Sequence, residues 1–165
     1  MHFPRPLWEG VRGISRVGEG DPVPDVKLAT TDADIARCFA VMRQLRPHLK
    51  NEAEFIARAR RQMALEKWRL AYVENARGAV AAVAGFRVLE CLHSGRTLYV
   101  DDLVTDETQR SKGLGEILLR WMEQKAREEG CQTFSLDSGT QRTAAHKFYF
   151  RMGLSIVSFH FAGKL

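Results

Sequence analysis

The sequence predicts an α/β fold of the α+β kind: a central mixed, mostly antiparallel sheet with helices on both faces. Three observations carry this. Segments of apolar, β-rich residues alternate with stretches whose apolar positions recur at helical spacing. Two of the strand candidates are joined by the short stretch Asn75–Gly78, a hairpin signal. Residues 98–130 read as strand, polar link, basic glycine loop and helix, and such a crossover places the next strand parallel to the first.

In order, residues 1–24 hold four prolines and four glycines with no periodicity, an irregular N-terminal arm. Its Phe3 and Trp8 could dock on residues 25–165, read as one domain, or on the second subunit of a homodimer. Residues 26–29 are a short strand candidate. Asp32 or Asp34 would cap a helix to about Leu45 with Ile35, Cys38, Phe39 and Met42 on one face, ended by Pro47. Asn51 with Glu54 three residues on resembles a capping box and opens a second helix to about Ala64.

Residues 68–74 and 79–89 read as the hairpin strands, and a turn at Ser94-Gly95 leads to the central strand, 98–104. From Leu114 the apolar residues fall at 117, 118, 121 and 122, the stripe of a helix buried on one face, with Gly130 as its stop. A strand at 133–137, a helix at 142–152 with Gly153 just past it, and a last strand at 154–161 complete the order β-α-α-β-β-β-α-β-α-β.

Composition narrows the function classes. The chain of 165 residues is 45% hydrophobic and 27% charged, ordinary for one globular domain. No uncharged run is long enough to span a membrane, and no signal-peptide core opens the chain, so a cytoplasmic protein is expected. Cys38, Cys91 and Cys131 are odd in number and far apart, which reads as reduced thiols rather than a disulfide framework or metal site. Of the net charge of +5, the excess sits in residues 25–95, with twelve basic and eight acidic groups. Its densest cluster, Arg58, Arg60 and Arg61, lacks the interleaved aromatics of a base-stacking surface and reads as a solvated helix face.

The chemistry concentrates in the loop Arg110-Ser111-Lys112-Gly113-Leu114-Gly115. Glycines allow close backbone approach, a helix N-terminus presents free N–H groups, and two cations add charge, a combination suited to a phosphate. The alternative is a tight strand–helix turn with solvated cations. The loop is neither a Walker loop nor a complete dinucleotide fingerprint.

These residues resemble motif A of the GNAT superfamily of acyl-CoA-dependent N-acetyltransferases, whose signature [QR]-x-x-G-x-[GA] they fill without a mismatch. Leu136-Asp137-Ser138-Gly139, Arg142 through Tyr149, and Met152-Gly153-Leu154 resemble its motif B. The resemblance runs from about Val26 to Leu165. It implies a V-shaped splay between the central strand and the next, with acetyl-CoA as co-substrate and no metal. The pantetheine would lie on the backbone of Leu103, Val104 and Thr105, and the pyrophosphate on Arg110, Ser111, Lys112, Gly113, Leu114 and Gly115. Arg142 stands where many members carry an asparagine that touches pantetheine. The family usually ends in a two-stranded hairpin, for which this chain has room for one strand.

Transfer to an amine needs a base, stabilisation of developing charge, and a proton for the leaving thiolate. Tyr149 matches the motif B tyrosine and is the candidate acid; it also shares a stripe with Ala145, Phe148 and Met152, as a core tyrosine would. Asp137, at the end of its strand, leads as base, with a helix cap as its other reading. Asp101 is the second candidate, and simple alternation would point Asp101 and Asp102 to opposite faces. His146 reads as structural or facing CoA. The expected activity is transfer of an acetyl group to a primary amine by direct attack in a ternary complex. The competing reading is a non-catalytic acyl-CoA-binding module; a nucleic-acid binder comes third.

Overall fold

The structure, a computed structural model, describes residues 24–165. The expected arm, with Phe3 and Trp8, lies outside the described residues. Those described form two compact units, 24–136 and 137–165.

The larger unit is built on a five-stranded sheet in the order β1-β2-β3-β4-β5. Its strands are β1 (Val26–Leu28), β2 (Arg69–Glu74), β3 (Val80–Cys91), β4 (Gly95–Thr105) and β5 (Thr133–Leu136). The first four pair antiparallel and β5 pairs parallel with β4, as the crossover requires. Helices α1 (Asp32–Leu45) and α2 (Glu52–Glu66) cover one face, where Ile35, Cys38, Met42 and Phe55 pack with Leu70, Tyr72, Val83 and Val104. Helix α3 (Leu114–Glu128) covers the other, where Ile117, Leu118 and Met122 pack on Ala84, Phe86, Leu98 and Val100. These two sets of strand residues alternate, so each face of the pleat feeds its own core.

The helix starts are decided by side-chain caps. Helix α1 is capped by Thr31, not Asp32 or Asp34. The Thr31 hydroxyl accepts from the Asp34 N–H at 3.1 Å while Asp34 accepts from the Thr31 N–H at 2.9 Å, a reciprocal box. At α2, Asn51 accepts from the Glu54 N–H at 2.9 Å, whereas Glu54 turns to the Lys50 N–H, so only half of the expected box forms. The arginines expected on a solvated face are there: Arg58 pairs with Glu54 and Arg60 with Asp32.

In the smaller unit, α4 (Thr143–Arg151) is followed by Gly153 at φ +86°, the left-handed stop expected. The last strand does not form. Residues 154–161 alternate as a strand would, but alternation supplies only a face, and a strand also needs a hydrogen-bonded neighbour. Ile156, Val157, Phe159 and Phe161 are accordingly exposed.

Candidate active site

The glycine loop has the conformation its sequence suggests. A 3-10 turn, Glu107–Gln109, precedes it, capped by Asp106, which accepts from the Thr108 N–H at 2.8 Å. Ser111 then sits at φ +65° and Gly113, the N-cap of α3, at φ +79°. A side chain at Gly113 would be strained in that left-handed conformation. Ile117 makes the first helical bond, to the Gly113 carbonyl, so the amides of Leu114, Gly115 and Glu116 precede it and face outward at the positive end of the dipole. Arg110 and Lys112 are exposed, and Lys112 reaches no further than Gln109 Oε1, at 2.9 Å.

Beside this loop, β4 parts from its parallel neighbour. The pairing with β5 runs only from Thr97↔Thr133 to Val100↔Leu136, while the pairing with β3 continues to Thr105↔Ala82. The strand edge at Leu103, Val104 and Thr105 thus runs past its last β5 partner. A backbone edge followed by a helix N-terminus suits an amide-bearing chain that ends in phosphates.

The parting coincides with a bulge. Phe86 faces Val100 and Gly85 faces Asp102, which leaves Asp101 as the extra residue of β4. Val100 and Leu103 both pack toward α3, and Val104 toward α1 and α2. Asp101 and Asp102 therefore share the α1/α2 face, and the expectation of opposite faces is overturned: the inserted residue breaks the alternation. Asp102 Oδ1 accepts from Arg46 Nε at 2.6 Å, and a second nitrogen of Arg46 bonds the Asp101 carbonyl at 3.1 Å. Asp101 Oδ1 accepts from Arg87 at 2.9 Å, and Arg87 also pairs with Glu66. Burial pushes the Asp101 carboxyl above its ordinary range; Arg87 opposes this and Asp102 adds to it. Its Oδ2 is enclosed with no hydrogen-bond partner.

In the smaller unit, Asp137 Oδ2 lies 2.9 Å from His160 Nδ1, and the carboxylate is about half exposed. The N-cap of α4 is Arg142, so Asp137 does not cap that helix. Arg142 itself is exposed and makes no side-chain cap bond. His146 Nε2 lies 3.0 Å from the Gly139 carbonyl and fastens the turn before α4. Tyr149 is half-buried with its ring 5.4 Å from that of Phe148; burial pushes its phenol pKa up, and Arg142 partly opposes the shift.

The matches with known proteins follow this geometry. The profile of the "Acetyltransferase (GNAT) family" matches residues 36–154, which include the loop, the bulge and α4. The chain belongs to the GNAT acetyltransferase family. An uncharacterized N-acetyltransferase of Bacillus subtilis is 36% identical over 138 residues, 82% of this chain and 95% of the relative. The aminoalkylphosphonate N-acetyltransferase of Salmonella typhimurium is 30% identical over 151 residues, 87% and 93% of the two chains. Among solved structures, AAC(6')-Iy in complex with the bisubstrate analogue CoA-S-monomethyl-acetylneamine superposes with a TM-score of 0.74 at 11% identity, over 87% of this chain and 99% of that one. The last likeness speaks for the GNAT fold.

Within this GNAT chain, the larger unit holds Asp101, the β4 edge and the loop, and the smaller holds Asp137, Arg142 and Tyr149. Reading the sequence missed Arg46, Arg87 and Trp68, which stand around the bulge. Arg46 carries a faint signal, since it closes α1 just before Pro47. Arg87 and Trp68 sit in ordinary strand patterns and carry none. All three cysteines are free, and burial pushes the Cys38 thiol up to about 12, which leaves it a poor nucleophile. Among the described residues no cluster of His, Cys, Asp and Glu could hold a metal ion, and no helix is long and apolar enough to cross a membrane.

Proposed function

We propose that the protein transfers the acetyl group of acetyl-CoA to a primary amine by direct attack, with both substrates bound at once. The observation that carries this is the continuous run of β4 edge, left-handed Gly113 and outward-facing α3 amides in a chain of the GNAT family. Bound acetyl-CoA supplies the activated thioester. The backbone of Leu103, Val104 and Thr105 pairs with the pantetheine amides. The amides of 110–115, with Arg110 and Lys112, hold the pyrophosphate, and Arg142 adds a cation for CoA.

Asp101 takes the proton of the acceptor ammonium. Its raised pKa makes it a better base than an ordinary carboxylate. The nitrogen lone pair then forms the amide bond as the carbon–sulfur bond breaks, the Tyr149 phenol protonates the departing thiolate, and the second nitrogen proton, lost as the amide forms, restores the phenolate to phenol. A phenol with a raised pKa remains protonated at neutral pH and is available for that role. Asp137 competes for the role of base, but it is exposed and paired with His160, which favours Asp101.

The test is turnover of acetyl-CoA with a panel of primary amines, read as thiol release and as the mass of the acetylated product. Product formation that needs both substrates and leaves no acetyl group on the protein is expected. Acetyl-CoA binding without transfer to any amine would instead support a non-catalytic acyl-CoA-binding module.

A further inference from the structure

The smaller unit carries a run of apolar side chains that none of the described residues covers. Ile156, Val157, Phe159 and Phe161 are 65%, 70%, 79% and 91% exposed, and Phe150 of α4, in the same unit, is 53% exposed. Apolar residues scattered singly on a surface need no explanation, whereas a contiguous set of this size marks a contact surface. Residues 154–163 hold no proline and no Asp, Glu, Lys or Arg, and β-branched and aromatic residues dominate them. That is the composition of a strand open to pairing with another chain. Among the described residues, none pairs with it as a strand.

One end of the segment is fixed. His160 Nδ1 lies 2.9 Å from Asp137 Oδ2, which holds the segment against its own unit. In an extended chain Leu154, Ile156, Ser158 and His160 share one face, and Ser155, Val157, Phe159 and Phe161 the other. The His160 contact turns the first face toward the unit and leaves the second, with both phenylalanines, outward.

We infer that residues 154–161 are the contact between two copies of this chain, paired antiparallel about a two-fold axis at Ser158. In that register Ser158 meets its own counterpart, and Val157 of each copy meets Phe159 of the other. Ser155 meets Phe161, and Ile156 meets His160. Directly opposed residues share a face, so the apolar faces of the two copies join, and no charge is set against a like charge. The segment is complementary to itself, which is what a two-fold interface requires and what selects a second copy over a different partner. The exposed parts of Phe150, Phe159 and Phe161 in two copies amount to roughly 900 Å², at ~200 Å² per ring. Ile156 and Val157 carry the total past the ~1,000 Å² that a specific interface needs. The inference does not depend on the catalytic reading.

The experiment measures the mass of the full chain in solution by size-exclusion chromatography with light scattering. Wild type should have the mass of two chains. Phe159→Glu sets a carboxylate against Val157 of the other copy at two places, and should halve the mass with the circular dichroism spectrum unchanged. Mild oxidation reads the register. Ser158→Cys brings two thiols to the ~4.5–5.5 Å Cα separation of an antiparallel pair, within disulfide reach, and should give a disulfide-linked dimer. Ser155→Cys, opposite Phe161, should not, nor should wild type with its own three cysteines. If Phe159→Glu does not fold, the two cysteine variants decide. A wild-type mass of one chain overturns the inference and leaves residues 1–23 or a different protein as the cover. A mass above two chains, a dimer that persists in Phe159→Glu, or one that Ser158→Cys does not lock overturns it as well.

Discussion

Arg46 Nε meets Asp102 Oδ1 at 2.6 Å, so the last turn of α1 is tied to the bulge of β4. The same guanidinium bonds the Asp101 carbonyl and so holds the extra residue from both sides. Arg46→Ala should let the bulge relax and misplace Asp101. The acceptor KM should rise about 10-fold or more, from the loss of a charge-assisted bond, with acetyl-CoA affinity unchanged by calorimetry. An unchanged acceptor KM would show that the tie is dispensable.

The two candidate bases separate by pH profile. The folded pKa of Asp101 is raised, so its active, ionised form is lost as pH falls through a value above the ordinary carboxylate range. Asp101→Asn should remove that acidic limb of kcat/KM and lower kcat by roughly 10²-fold or more, the low end for a positioned base. Asp137→Asn should leave the limb in place and mainly break the His160 pair. The reverse pattern assigns the base to Asp137.

The same raised pKa sets a sign for stability. Asp101 charges less readily in the folded protein than unfolded, so its contribution is fullest below the unfolded pKa and is lost as pH rises through the folded one. Relative to wild type, Asp101→Asn should therefore gain stability as pH rises from about 4, the ordinary carboxylate value, through the raised folded pKa, offset by whatever the Arg87 bond contributes. Urea titrations across that window measure it. A variant whose relative stability falls steadily as pH rises would contradict the burial argument.

Tyr149→Phe should lower kcat by about 10²-fold with little change in KM for acetyl-CoA, because a proton donor acts only as the thiolate leaves. Steady-state kinetics with a productive acceptor read both constants. A kcat within twofold of wild type would make Tyr149 a packing residue of α4 only.

Much of the fold was legible because it depends on local patterning. The stripe from Leu114 to Met122, the Asn75–Gly78 turn and the stop at Gly153 each follow from spacing and backbone preference. What was not legible was non-local. Whether 154–161 becomes a strand depends on a neighbour that alternation cannot supply. Thr31 outcompeted two aspartates for the cap of α1 because its hydroxyl and Asp34 satisfy each other. At the site, the glycine loop was legible as a motif, while the bulge was not: one inserted residue turns Asp101 and Asp102 to the same side, and nothing in Asp-Asp announces it. Arg46, Arg87 and Trp68 reach the bulge from three other elements, so their role emerges only once the sheet is assembled.

The central claim, that the loop at the start of α3 holds the pyrophosphate of acetyl-CoA, is tested most directly by calorimetry on wild type and Gly113→Val. Gly113 sits at φ +79°, where a branched side chain is strained and would crowd the approaching phosphates. Wild type should bind acetyl-CoA, and the folded variant should bind at least ~10-fold more weakly, about 1.4 kcal/mol. A folded Gly113→Val that binds acetyl-CoA as tightly as wild type would contradict the account.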